Sequence, residues 1–326
     1  MPSKSKSLTK SGYYALDDNN LDLEVARLKS QYLHFKTVFG SNTVPPLVNI
    51  NHVSKVIDVA TGTGAWALDF VSQPNVRDRG VQVFACDLSS AKFPQENEPD
   101  VDKITFFEHD VTKPFPDKML RTFDLVNMSF MCGALTEQGW KSALQNLRDL
   151  LKPGGHLTLR DADLVTLTHE KPPPLDGQEP DIAAYTQGKS TFATINRILS
   201  GWALLQGFEI RLSYHLQKML QDASLQVLSS TRVLAPHGEY CSSHKGPNGT
   251  SLSEFTTSSS QSLSYILDSV TSAMMKAGCL ELGDGTRIAD EEERKALMRE
   301  VQHFVEGGIF LSLSEWVAVR PLRSSY

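Results

Sequence analysis

Three acids and two glycines carry the chemistry of this chain. Asp58 lies in the run Val56-Ile57-Asp58-Val59. A small-residue turn with Gly62 and Gly64 follows, and then a helix-like segment, Ala65–Phe70. An apolar β-branched run, a tight glycine turn and a helix in that order predict a strand, loop and helix that cradle a nucleotide-like ligand. The glycines permit positive φ and close approach of a ligand, and the helix start offers unpaired N–H groups. A lone Gly-x-Gly occurs in many βα turns, so the spacing downstream has to support it. Asp87 follows a second apolar run, Val81–Ala85, and stands 23 residues after Gly64, where an acid can accept both hydroxyls of a ribose. A third run, Ile104–Glu108, leads to His109-Asp110-Val111, and a fourth, Phe123–Asn127, to Met128-Ser129-Phe130. In an open parallel sheet these four strand ends gather on one rim.

Two ligand classes fit such a rim. A nicotinamide dinucleotide needs a Gly-x-Gly-x-x-Gly/Ala loop for its pyrophosphate, and Ala67 stands in the third place, so the pattern alone admits it. S-adenosylmethionine has no phosphate but carries a sulfonium and an ammonium group. Asp58, Asp87 and Asp110 supply acids at three strand ends, which attract a cation and repel a pyrophosphate.

With those residues in place the sequence resembles the class I S-adenosylmethionine-dependent methyltransferases, and within them the fungal secondary-metabolite, LaeA-like branch. The motifs are V-I-D-V-A-T-G-T-G, F-A-C-D-L, E-H-D-V and F-D-L-V-N-M-S-F-M, followed by L-R-D-L-L-K-P-G-G-H-L-T-L-R-D from Leu147 to Asp161, in family order. Ala60 stands where the family has its first glycine. The resemblance implies an α/β fold: a Rossmann-like sheet of seven strands, the last antiparallel, with a helical cap. It also implies roles. Asp58, Ala60, Gly62 and Gly64 hold the methionine end of S-adenosyl-L-methionine; Asp87 and Leu88 flank the ribose; Asp110 and Val111 meet the adenine; Asn127 and Met128 close over the sulfonium side. A leading helix including Glu24–Gln31 covers the cofactor, with Tyr14, Arg27 and Gln31 as contacts to its methionine end. An amphipathic surface helix with solvated polar residues is the competing assignment for that segment.

The 326 residues suffice for one elaborated domain. Residues 1–19 are expected to be a flexible tail, and 20–322 a methyltransferase domain with cap elements around 164–210 and 236–306. The basic start Met1–Lys10 lacks the apolar core of a secretory signal, and no run reaches the length of a membrane span. A net charge of −6 supplies no positive field for nucleic acid. Cys86, Cys132, Cys241 and Cys279 are scattered without metal-ligand spacing, which points to a reducing, cytoplasmic setting and no metal. Oligomeric state is left open.

Late in the chain, a proline-rich loop follows Leu157–Asp163. Ala183–Gln206 and Ile210–Ala223 have helical patterning, and Leu225–Leu234 and Phe310–Arg320 look like closing strands. Between them Pro236–Ser262 is rich in Ser, Gly and Thr, which predicts a mobile loop. Gln261–Ala277 and Asp290–Val305 read as helices, and Glu291, Glu292 and Glu293 suit the positive end of a helix dipole. Methyl transfer chiefly requires alignment of an acceptor, contributing up to about 7–11 kcal/mol. If a base is used on a hydroxyl acceptor, His169 is placed best by sequence and His215 second, although each has a structural role as its ordinary alternative. Met131, Tyr185, Phe192 and Trp202 are candidate walls of an acceptor pocket, or core residues of the cap. The leading expectation is O- or N-methylation of a small natural-product-type molecule. A regulatory protein that keeps the cofactor fold and a non-methylating enzyme on that fold are the alternatives.

Overall fold

The computed structural model describes residues 21–174 and 177–322. The expected tail 1–19, with Tyr14, lies outside the described residues. In chain order the elements are α1 (Leu21–Val38), β1 (Lys55–Val59), α2 (Ala65–Ser72), α3 (Pro74–Arg77), β2 (Gln82–Asp87), β3 (Ile104–Glu108), β4 (Phe123–Ser129), α4 (Glu137–Leu150) and β5 (Leu151–Leu167). Then come α5 (Ala183–Thr186), α6 (Thr191–Gln206), α7 (Leu212–Asp222), β6 (Gln226–His237), α8 (Tyr240–Ser243), α9 (Thr256–Lys276), α10 (Glu291–Gly307) and β7 (Ile309–Val319).

The seven strands form one sheet in the order β3-β2-β1-β4-β5-β7-β6. Neighbours are parallel from β3 to β5, and β7 is antiparallel to both β5 and β6. This is the Rossmann-like sheet with an antiparallel last strand that the sequence implies. The central strands β1 and β4 are covered on both faces, which accounts for the unbroken apolar pairs Val56-Ile57 and Leu125-Val126, all fully buried. One face packs Ile57, Val126, Met128, Leu157 and Leu159 against Trp140, Leu144 and Leu147 of α4 and Leu212 and Leu216 of α7. On the other face Val56, Leu125 and Val83 meet Trp66, Ala67 and Phe70 of α2.

β4 ends with Ser129 opposite Arg160, but β5 runs on to Leu167 and pairs only with β7 beyond that level. On this extension the helices α6, α9 and α10 build a separate core, with Ile198, Leu267, Val301 and Val305 at its centre. Capping fits the composition: Asp290 accepts from the N–H groups of Glu292 and Glu293, so the three glutamates occupy the first turn of α10 as charges, as expected.

One expectation is corrected and one refined. Pro236–Ser262 is not one mobile loop: β6 continues to His237, Cys241 is fully buried in α8, and α9 begins at Thr256 with Ser259 and Ser260 buried. Hydroxyls bond back to the preceding turn, Ser260 Oγ to the Thr257 carbonyl at 2.9 Å and Thr256 Oγ1 to the Ser253 carbonyl at 2.9 Å, so a serine-rich helix satisfies its own polar groups. The helical patterning over Ala183–Gln206 is realised as two helices, α5 and α6. Gly188 at φ 127° breaks it, and Ser190 recaps the chain by accepting from the N–H of Ala193.

Candidate functional site

At the carboxyl end of β1 the backbone turns through the left-handed region three times in five residues: Ala60 at φ 56°, Gly62 at 55° and Gly64 at 70°. At Gly64 a side chain would also be crowded, because a Cβ would lie 3.1 Å from the ring of Phe106. Ala60 is the departure from a fully glycine loop, and its methyl is held in a conformation costing roughly 1–2 kcal/mol. The loop is clasped to β2 through Thr61, whose N–H reaches the Cys86 carbonyl at 2.9 Å, and Gly62, whose N–H donates to the Asp87 carboxylate at 2.8 Å. Backbone N–H groups of Leu88 and Ser89 also meet Asp87, although its burial outweighs them and raises its pKa. Leu88 beside it is 57% exposed, an apolar side chain left open at the rim.

Behind the loop, Asp58, Asn127 and Thr158 stand directly opposite one another on β1, β4 and β5. Asn127 Nδ2 donates to Asp58 Oδ1 at 2.7 Å, and Thr158 Oγ1 donates to Asn127 Oδ1 at 3.0 Å. Thr61 Oγ1 donates to Asp58 Oδ2 at 2.5 Å. Burial dominates over these two donors and pushes the Asp58 carboxyl up to about 7. At the third strand end Asp110 Oδ1 accepts from Thr112 N–H at 2.9 Å and from its hydroxyl at 2.7 Å, and Asn146 holds the Val111 carbonyl at 2.8 Å. His109 N–H donates to the Asp87 carbonyl at 2.8 Å, tying this loop to its neighbour.

The geometry thus gathers Asp58, Ala60, Gly62, Gly64, Asp87, Leu88, Asp110, Val111 and Asn127 on one rim. Met128 does not join them as a side chain. It is fully buried in the core under α4, because its strand position alternates with Asn127 and points to the other face. α1 lies over the glycine loop, with Leu28 Cδ1 3.8 Å from where a Cβ on Gly62 would be. It is fastened to α2 at Asp69, which accepts from Tyr32 at 2.5 Å and from Lys36 at 2.7 Å. Arg27 is largely buried and grips Glu24 through two bonds of 2.7 and 2.8 Å, while its third nitrogen reaches Gln31 at 2.5 Å. Its charge is therefore matched within the helix.

The two histidines fall elsewhere. His169 is exposed, packs near Tyr240 at 4.4 Å and Phe310 at 5.0 Å, and follows the end of β5 at Leu167. Since β4 stops opposite Arg160 and β5 runs on to Leu167 beside β7 alone, the continuing strand carries this histidine away from the rim. His215 is partly exposed on α7 between the carboxylates of Glu179 at 3.2 Å and Glu209 at 2.9 Å, away from the rim. The expected pocket walls are dispersed too. Tyr185 and Phe192 pack with Val165, Leu167 and Phe310, Trp202 lies in the core of α6, α9 and α10, and Met131 leans on the α4 face. A concavity of about 540 Å³ lined by Arg77, Gln82 and Lys103 opens at the amino ends of β2 and β3, the edge opposite the glycine loop.

Sequence reasoning missed Asp161. It is buried, its carboxylate accepts from the N–H groups of Met131 at 2.8 Å, Cys132 at 3.1 Å and Ala162 at 2.9 Å, and burial raises it to about 6. It thereby fixes the turn after β4, where Phe130 takes φ 59°. The signal was the acid inside Arg160-Asp161-Ala162-Asp163, polar residues where a buried strand should be apolar. Among the described residues no cluster of His, Cys, Asp or Glu is arranged to hold a metal, and no helix is long and apolar enough to cross a membrane.

Residues 57–157 match the family model described as a methyltransferase domain. Methyltransferase psoC of Aspergillus fumigatus is 27% identical over 206 residues, 61% of this chain and 64% of its own length. N-methyltransferase sirN of Leptosphaeria maculans is 29% identical over 165 residues, 51% of this chain and 55% of its own. The chain thus spans less than two thirds of the length of these relatives. The solved geranyl diphosphate C-methyltransferase of Streptomyces coelicolor A3(2) aligns over 94% of this chain and 86% of its own at 12% identity, with a TM-score of 0.44.

Proposed function

We propose that the chain is a class I S-adenosylmethionine-dependent methyltransferase, similar to the secondary-metabolite members of fungi, and that it methylates an oxygen or nitrogen of a small molecule of natural-product type. The observation that carries the proposal is the clasp between Gly62 N–H and Asp87, which sets an acid beside a loop of three left-handed residues.

The donor set suits this cofactor. Asp58, Asp87 and Asp110 bring negative charge to the rim, which favours a cationic ligand and opposes a pyrophosphate. Bound S-adenosylmethionine supplies an electrophilic methyl group. Asp58, with the backbone of Ala60, Gly62 and Gly64, holds the methionine end, its pKa near 7 leaving it free to ionise beside an ammonium group. Asp87 accepts the ribose hydroxyls with Leu88 against the sugar, and Asp110 and the Val111 backbone meet the adenine. Asn127 and the backbone of Met128 border the sulfonium side. α1 closes over the methionine end and excludes water, with Arg27 and Gln31 acting through their mutual bond and Glu24. The helical layer of α6, α9 and α10 forms the cap over the acceptor. Alignment is the main catalytic contribution, and neither His169 nor His215 is needed for it. Four cysteines without disulfides fit a cytoplasmic setting.

Calorimetric titration with S-adenosylmethionine, S-adenosylhomocysteine and NADH, repeated on Asp87→Ala, tests this. Binding of the first two and its loss in the variant supports the site. Binding of NADH alone, or of none, overturns it.

A further inference from the structure

The turn that follows β4 holds a conformation its residues do not favour. Phe130, a bulky residue, lies in the left-handed region at φ 59°, and such an outlier persists only where its surroundings over-determine it. Three bonds do so here. The N–H of Phe130 donates to the Arg160 carbonyl at 2.8 Å, and those of Met131 and Cys132 donate to the two carboxylate oxygens of Asp161 at 2.8 and 3.1 Å. Successive backbone N–H groups in a turn of this kind converge on an anion, whereas an amide in place of the carboxylate would turn its NH₂ toward one of these donors. Arg160 pairs with Ser129, the last residue of β4, so Asp161 stands at the level of the rim, next to the strand that carries Asn127. In front of the turn the Phe130 ring lies 4.9 Å from Phe35 of α1, the helix over the glycine loop.

The carboxylate behind the turn has donors but no counter-ion. Asp161 is 2% exposed, and among the described residues no lysine or arginine pairs with it. Arg160 pairs with Glu315 at 2.7 Å. On β7 Ser314 stands opposite Asp161, and on β6 Arg232 stands opposite Ser314, but that guanidinium lies over the ring of Tyr214 at 4.1 Å. Asp163 on the same strand is engaged by Ser213 and Ser312, and burial keeps the Cys132 thiol beside Asp161 protonated. Burial therefore outweighs the N–H donors and pushes the Asp161 carboxyl up to about 6.

We propose that Asp161 is a positioning residue for methyl transfer: its carboxylate sets the turn that borders the sulfonium and leaves there a negative charge for the sulfonium to offset, so that the site prefers the cationic donor to its demethylated product. This rests on the methyltransferase proposal above and deepens its cofactor side. Asp161 acts through the backbone of Met131 and Cys132. Buried charges are screened weakly, so the preference does not require direct contact. It lets fresh S-adenosylmethionine displace S-adenosylhomocysteine, which lacks only the methyl group and the charge on sulfur.

Calorimetric titration of the full chain with each of these two ligands, at pH 7.5 and at pH 5, reads the ratio of their affinities. Asp58 and Asp87 meet groups that both ligands carry, so their ionisation cancels in the ratio. Above pH 6 Asp161 is ionised and the ratio favours the donor. At pH 5 its ionised fraction is about a tenth, and the preference is expected to fall about tenfold. Asp161→Asn is expected to show the lowered ratio at both pH values. A ratio that does not change with pH in the parent chain overturns the proposal, and so does a folded Asp161→Asn that keeps the parent's ratio or weakens both ligands equally, the result for a turn with a structural role alone. If that variant fails to fold, the pH dependence of the parent chain decides. Binding of both ligands at a pH-independent ratio removes only this proposal, while binding of neither removes the methyltransferase reading on which it rests.

Discussion

The rim of β1 to β4 and the helical layer on the extended β5 and β7 are built by different means. At the rim, polar groups sit at strand ends and are held by short bonds within the sheet: Asp58 to Asn127 to Thr158, and Gly62 to Asp87. In the helical layer the central contacts are apolar, Ile198, Leu267 and Val301 at zero exposure, and its polar groups are hydroxyls that bond to their own helix together with Arg294 of α10, which donates across to Asp268 and Thr271 of α9. The first arrangement, the proposed cofactor edge, carries buried carboxylates with raised pKa values, and the second, the proposed cap, draws its stability from apolar burial. Ligand specificity and fold stability are therefore expected to respond to different substitutions.

The largest effect is expected in the helical layer, where Leu267→Ala removes a fully buried side chain. Thermal unfolding should show a loss of about 2–5 kcal/mol, with little change in cofactor affinity at a temperature where the variant is folded. A large loss of affinity would break the division between the regions. Asp87→Ala is the converse case. Charge-assisted hydrogen bonds are worth about 1.5–3 kcal/mol each and two ribose hydroxyls lose theirs, so calorimetry should show at least about a hundredfold weaker binding of S-adenosylmethionine, with a smaller effect on melting.

A third prediction uses pH. The Asp58 carboxyl is raised from 3.8 to about 7 in the folded chain, so the folded state retains a proton that the unfolded state has lost. Its contribution to stability is complete below about pH 4 and disappears as pH rises through 7. A cationic cofactor favours the ionised form, so its affinity should rise about tenfold from pH 6 to pH 8, as the ionised fraction of a group titrating near 7 climbs. In Asp58→Asn that rise should flatten; a pH profile identical to the parent's would remove Asp58 from the binding group. The smallest effect belongs to Ala60→Gly, which relieves the left-handed methyl but enlarges the entropy of the unfolded chain. The net change should stay within about 1 kcal/mol in favour of the variant, and cofactor binding should be retained.

The parallel half of the fold was legible because β-branched runs that lead into Asp58 and Asp87 follow a period and a spacing visible in one dimension. The closing strands were legible in the same way, while their surroundings were not. Serine and threonine content alone made the stretch after Pro236 read as a loop. The helix from Thr256 onward forms nonetheless, because its hydroxyls return to the preceding turn and its buried face meets α6 and α10. The candidate base His169 was placed by its position after the fifth strand, yet β5 continues past β4 and carries that residue away from the rim.

By itself the sequence determined the succession of strands, the glycine loop and the acids at the strand ends, since each is set by local periodicity and by residues close in the chain. Only the tertiary structure decided that Asp58, Asn127 and Thr158 form one ladder, that Asp161 fixes the turn after β4, and that His34 and His237 face each other across α1 and β6. Those relations join residues tens to hundreds of positions apart, and they exist because burial forces each polar group to find a partner that the chain's local pattern does not contain.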